Sequence, residues 1–124
     1  MNSPIVCDLT NKNCVPCQGG VPPMSEEEAN KLLAELSEKW SLIDGATKLH
    51  RKFKVRNFKR ALSVVNNVGE IAESEGHHPD IKLGWGYACL KIQTHKINGL
   101  TESDFILAAK SEQAFQKLRE AWNK

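Results

Sequence analysis

An α+β domain, with a four-stranded antiparallel sheet covered on one face by helices in the order αββαββα, is the fold that this sequence predicts. Three observations predict it. Apolar residues recur at three-and-four spacing in three separate stretches and alternate with polar ones in two others, and glycine-bearing turn signals split each alternating stretch into two strands. Strand faces of that kind need cover, and the helices carry matching apolar stripes.

The first 24 residues read as a flexible leader, and residues 25–124 as a single folded domain. Cys7, Cys14 and Cys17 all fall in the leader, where "CVPCQGGVPP" is a Gly/Pro-rich connector rather than a strand opening a helix. A structural zinc site needs a second ligand pair and the sequence shows none, so reduced thiols without a metal are expected. Cys89 reads as a small strand residue.

The first helix opens at Ser25, which forms a capping box with Glu28, and Ala29, Leu32, Leu33 and Leu36 follow at helical spacing. Asp44-Gly45 then marks a turn between two strands, the second with Leu49, Phe53 and Val55 on one face and Lys48, His50, Lys52 and Lys54 on the other. From Asn57 the period changes again, and Phe58, Ala61, Leu62, Val65, Val68 and Ala72 predict a second helix ending at Gly76. "HPDIKLGWGYACLKIQTH" returns to alternation. The third helix opens at Thr101 with Asp104 at its third position.

The second hairpin bears on function. A two-residue loop at Gly86-Tyr87 would pair Trp85 with Ala88, Leu83 with Leu90 and Ile81 with Ile92, all on one face. The same register sets His78 opposite His95 on the other face, with His77 beside them at the helix end. Pro79 forces His78 into an extended conformation and starts the strand there. Three of the four histidines of the chain thus converge. Histidine is the side chain whose ordinary titration range suits either acid or base at neutral pH.

Other function classes are less favoured. With 17 Lys plus Arg against 15 Asp plus Glu, the net charge of +2 does not announce a nucleic-acid or membrane partner. "HRKFKVRNFKR", His50 to Arg60, is basic with interleaved aromatics, but its lysines occupy the solvent alternation of a half-buried strand. No apolar run approaches the roughly 18 residues that span a bilayer, and the N-terminus lacks a signal-peptide pattern, so a cytoplasmic or nuclear address is expected.

The stretch "ESEGHHPDIKLGWGYACLKIQTHKINGLTESD" resembles the signature of the pterin-4a-carbinolamine dehydratases: Glu73, His77-His78-Pro79, Trp85, His95 and Asp104 at the family's spacing. The similarity extends over about the last hundred residues, including "FKRA" and "GLTESDFILAA"; "GWGY" departs from the Tyr-Asn turn common in the family. The resemblance implies a dehydratase that converts 4a-hydroxytetrahydropterin to quinonoid dihydropterin and water, recycling the tetrahydropterin of aromatic amino-acid hydroxylases. It places His77, His78 and His95 around the pterin as catalytic residues. His77, at a helix end near Glu73, is the expected acid, and His78 and His95 are candidates for base and ring contact. Glu73 and Asp104 would orient imidazoles, although Asp104 is equally explained as a helix-start acid. Pro79 and Trp85 would contribute to the substrate pocket. The pterin is then substrate, and no cofactor or metal is expected. The resemblance also implies homodimers or homotetramers, and, as an alternative function, a dimerisation cofactor of a transcription factor.

Overall fold

The computed structural model describes residues 9–14 and 22–123. The domain runs α1 (Glu26–Leu33), β1 (Ser41–Ile43), β2 (Lys48–Lys54), α2 (Phe58–Glu75), β3 (Asp80–Gly84), β4 (Tyr87–Ile92) and α3 (Glu102–Trp122), with a 3-10 turn at His95–Ile97. This is the expected αββαββα order. The strands form one antiparallel sheet in the order β1-β2-β4-β3. Among the described residues no helix is long and apolar enough to cross a membrane.

Each helix begins where its cap says it should. The Glu28 backbone N–H donates to the Ser25 hydroxyl and the Ser25 N–H to the Glu28 carboxylate, both at 3.1 Å. Asn57 Oδ1 accepts from the Arg60 N–H at 2.9 Å to open α2, and Gly76 closes it in the left-handed region at φ 67°. The buried stripe of α2 is Ala61, Val64, Val68 and Ala72, which keeps three of the expected residues and adds Val64, whereas Phe58 and Leu62 are exposed. Apolar residues on α2 span more than one face, so spacing alone does not fix which face turns inward.

Alternation divides the sheet as expected. Leu49, Phe53, Ala88, Leu90 and Ile92 are buried against the helices, and Lys52, Lys54 and Lys91 on the other face are exposed. The register of the second hairpin is different. Leu83 pairs with Ala88 and Ile81 with Leu90, so the loop is Trp85-Gly86 and the pairing is displaced by two residues. Only Gly86 of the loop has a positive φ, 85°, and the Tyr87 ring lies across Gly84, where a Cβ would meet it at 2.4 Å. An even displacement keeps every face assignment but removes Trp85 from the apolar set, leaving it 72 % exposed. The first turn is also longer than its Asp44-Gly45 signal, spanning residues 44–47 with Asp44, Gly45 and Ala46 all at positive φ.

The leader expectation needs correction for the part described. Leu9 is 2 % exposed and belongs to the core, and residues 9–14 lie against α2 and α3 rather than forming a flexible tail. Residues 103–109 of α3 are buried all round, which asks for cover beyond what one sheet face supplies. Cys7 and Cys17 lie outside the described residues.

Arg51 shares the parity of Leu49 and Phe53, so alternation sets a charged residue on the apolar side. It points to the apolar side between Leu49 and Phe53 and is 5 % exposed. Its Nε and Nη2 donate to the two oxygens of Glu112 at 2.9 and 3.0 Å, and its guanidinium lies 4.3 Å from the Phe53 ring centroid. Trp40 Nε1 and Gln116 Nε2 donate to the same carboxylate. Burial pushes the Glu112 carboxyl up, but the hydrogen bonds from Arg51, Gln116 and Trp40 outweigh it and hold it below the usual carboxylate range. Glu112→Ala strands a buried guanidinium and is expected to cost about 3 kcal/mol in urea denaturation. The pair Arg51→Met with Glu112→Leu should recover most of that loss, and a double variant no more stable than Glu112→Ala would refute this reading of the ion pair.

Candidate active site

Where α2 ends, the chain is pinned before it turns toward β3. The Gly76 and His77 N–H groups both donate to the Ala72 carbonyl, His77 at 3.2 Å. His78 and Pro79 follow without regular structure, and β3 begins at Asp80, two residues later than the proline suggested. On the other arm of the hairpin, β4 ends at Ile92, and Thr94 bridges to Gly99 so that His95 opens a tight 3-10 turn. Asn98 closes this turn in the left-handed region at φ 51°. Gly99 has no room for a side chain, because a Cβ there would stand 2.4 Å from Pro23.

His78 and His95 are therefore not a cross-strand pair. Both nonetheless stand at the open end of the β3–β4 hairpin, and with His77, Gln93 and Thr94 they line one cavity of about 240 Å³. The convergence of the three imidazoles thus arises from the helix end and the 3-10 turn rather than from strand register. Neither Pro79 nor Trp85 lines this cavity, and Trp85 sits in the hairpin turn at the opposite end of the strands.

The carboxylates pair differently from the expectation. His77 Nε2 lies 2.6 Å from Asp104 Oδ1, and His78 Nε2 lies 2.5 Å from Glu73 Oε2, so Glu73 serves His78 and Asp104 serves His77. Asp104 is fully buried, and its second oxygen accepts from the Thr101 backbone N–H and the Thr94 hydroxyl, each at 2.8 Å. Its two oxygens thus divide the two expected roles: Oδ2 caps α3 and Oδ1 holds His77. A carboxylate only accepts, so His77 carries its proton on Nε2 and leaves Nδ1 uncommitted. The Glu73–His78 pair is solvent-exposed, with side chains 79 and 59 % accessible, and contributes orientation more than stability. The Gln93 amide donates to His95 Nδ1 at 3.1 Å. Gln93 and Thr94 are absent from the sequence reading, since nothing in their type or spacing separates them from ordinary strand-end residues. Among the described residues no group of three or more His, Cys, Asp or Glu side chains is arranged to hold a metal ion.

The leader segment packs directly behind this site. The Cys14 N–H donates to Glu75 Oε1 at 2.7 Å, its thiol donates to the Ser103 carbonyl at 3.4 Å, and Lys110 Nζ reaches Glu75 Oε2 at 2.5 Å. Burial, reinforced by the Glu75 carboxylate, pushes the Cys14 thiol up to about 12. A raised thiol pKa lowers the thiolate fraction at neutral pH and with it the nucleophilicity of Cys14.

Fold and cavity together define a small α+β protein in which three histidines line one cavity and two of them pair with carboxylates. The comparisons with known proteins carry this further: the family model described as pterin 4 alpha carbinolamine dehydratase matches residues 22–114, and the chain belongs to that family. Among its relatives, the "Putative pterin-4-alpha-carbinolamine dehydratase" of Methylococcus capsulatus is 57 % identical over 107 residues, covering 86 % of this chain and 93 % of that one. The relative of the same name from Halorhodospira halophila is 61 % identical over 102 residues, covering 82 and 93 %. A crystal structure of a transcriptional coactivator/pterin dehydratase from Brucella melitensis superposes with a TM-score of 0.69 at 30 % identity, over 73 % of this chain and 96 % of that one.

Asp104→Ala removes the acceptor of three donors at once and should lower stability by about 3 kcal/mol in urea denaturation. It should also abolish the protected His77 Nε2–H resonance in nitrogen-15 NMR spectra. Glu73→Ala, in the exposed pair, should stay within about 0.5 kcal/mol of the parent. Equal losses in the two variants would contradict the division of roles drawn from their burial.

Proposed function

We propose that the chain dehydrates 4a-hydroxytetrahydropterin to quinonoid dihydropterin and water by histidine acid–base catalysis, in recycling of the tetrahydropterin used by aromatic amino-acid hydroxylases. The observation that carries this reading is the convergence of His77, His78 and His95 on one cavity, with His77 locked by a buried carboxylate. In the reaction the C4a–O bond breaks, the N5–H proton is lost and a C4a=N5 double bond forms. The leaving oxygen needs a proton and N5 needs a base, both near neutral pH. His77 delivers the first from Nδ1–H, its Nε2–H remaining on Asp104, which steadies the ring as the proton leaves. His78, oriented through Nε2 by Glu73, offers Nδ1 to the N5 proton. His95, fixed by Gln93, contacts the ring. The pterin is the substrate and the reaction asks for no cofactor or metal.

A second reading, as a dimerisation cofactor of a transcription factor, draws on the description of the Brucella protein as a transcriptional coactivator and on exposed Phe58 and Leu62 of α2. The two readings separate under mutation, because histidine substitutions would silence the dehydration and leave a protein-binding face untouched.

His77→Ala, His78→Ala and His95→Ala should each lower the dehydration rate by about 10²-fold or more, followed in the ultraviolet on carbinolamine generated by a hydroxylase. His50→Ala, on β2 and outside the cavity, should keep near-normal activity. Full activity in all three site variants would sink the proposal. Self-association belongs to the same reading: β3 is an edge strand whose Ile81 is 37 % exposed, so light scattering should report a dimer or tetramer, and a stable monomer at micromolar concentration would count against it.

A further inference from the structure

The basic run from Arg51 to Arg60 takes no part in the histidine cavity. It meets the last turns of α3 at the far end of the α2–α3 pair, where the Arg60 guanidinium lies 4.8 Å from the Trp122 ring centroid. His77 and Asp104 meet at the other end, where α2 finishes and α3 begins. At a rise of about 1.5 Å per residue, the 18 residues of α2 hold the two places about 27 Å apart.

Two adjoining clefts of about 290 and 300 Å³ lie at the basic end and share Lys54, Phe115 and Arg119. Lys39, Arg51 and Lys52 complete one, and Arg56, Arg60 and Trp122 form much of the other. No Asp or Glu among the described residues lines either cleft. Arg51 is neutralised by Glu112, but the other six cations have no ion-pair partner among the described residues. Six unpaired charges drawn together repel one another, a cost that an anion between them removes.

The site is also built rather than merely charged. Arg60 stacks on Trp122, Arg119 lies 5.8 Å from the Phe115 centroid and donates to Gln116 Oε1, and Lys52 Nζ stands 5.2 Å from the Tyr87 centroid. Stacking fixes a guanidinium plane and leaves its N–H edge for an oxyanion, the geometry that binds phosphate through paired hydrogen bonds. The aromatic faces are thereby occupied and Phe115 is 5 % exposed, so the clefts offer no platform on which bases would stack. The cations converge from the α1–β1 loop, β2, the β2–α2 loop, the first turn of α2 and the end of α3, which encloses a compact ligand better than it tracks a long strand.

We infer that these clefts bind a compact polyphosphate, two or more adjacent phosphate groups such as those of inorganic triphosphate or the triphosphate tail of a nucleotide. Titration calorimetry of the full chain with inorganic triphosphate at physiological salt should show one ligand bound per chain. Arg60→Gln with Arg119→Gln should weaken binding at least about tenfold, and Lys117→Gln, on the exposed side of α3 and outside the clefts, should not. Lys52→Gln with Lys54→Gln, at two exposed positions, should weaken it too and guards against misfolding of the arginine variant. Titration with adenosine triphosphate separates the sources: equal affinity assigns the phosphate chain alone, and tighter binding assigns a nucleotide. Absence of binding by either probe, binding indifferent to both double variants, or binding only of a short single-stranded RNA would overturn the inference.

Discussion

Much of this structure depends on where one carboxylate sits. Asp104 is buried at the first turn of α3 and accepts from the Thr101 backbone, the Thr94 side chain and the His77 ring. A buried carboxylate without donors would be prohibitively expensive, so its burial is possible only because three separate pieces of chain bring one donor each. The helix start, the turn carrying His95 and the end of α2 are thereby fixed relative to one another. The site is geometrically defined because the core requires it to be, and a frayed first turn of α3 would leave His77 without its orientation.

A comparable arrangement holds the opposite end of the molecule. There Arg51 and Glu112 join β2 to α3, satisfied by Trp40, Gln116 and the Phe53 ring, so the charge that alternation sets on the apolar side can stay there. The two ends of the α2–α3 pair then differ in character. One gathers imidazoles and carboxylates around a cavity, and the other gathers cations around clefts without acids.

The sequence is a good guide where physics is local. Caps at Ser25, Asn57 and Thr101 fix the helix starts, because a capping side chain reaches only a few residues along its own chain. The convergence of His77, His78 and His95 is legible too, since the hairpin brings its ends together in either register. What the sequence conceals is set by contacts between distant segments. The two-residue register displacement escapes the sequence because alternation is blind to an even shift, and the contact of Tyr87 with Gly84 that accompanies it is seen only in the fold. The partners of His77 and His78 depend on which way α2 delivers Glu73 and how closely α3 approaches, which no spacing encodes. The packing of Leu9 and Cys14 against α2 and α3 is hidden for the same reason, because a short segment without apolar periodicity reveals its contacts only in the fold.

The two borders of the sheet are unequal. β1 pairs with β2 only as far as His50, so among the described residues Arg51–Lys54 runs on without a strand neighbour on that side. This stretch is guarded: Lys52 and Lys54 are exposed, and Arg51 Nη1 donates to the Lys52 carbonyl at 2.9 Å, occupying an acceptor that an incoming strand would need. β3, at the other border, also presents charge, with Asp80 and Lys82 exposed on either side of the exposed Ile81. The borders thus resist strand addition by different means, one by a side chain that fills a main-chain acceptor and the other by charges of both signs flanking one apolar residue. Any pairing through β3 would have to satisfy Asp80 and Lys82 as well as cover Ile81, so neither border is a free template for a growing fibre.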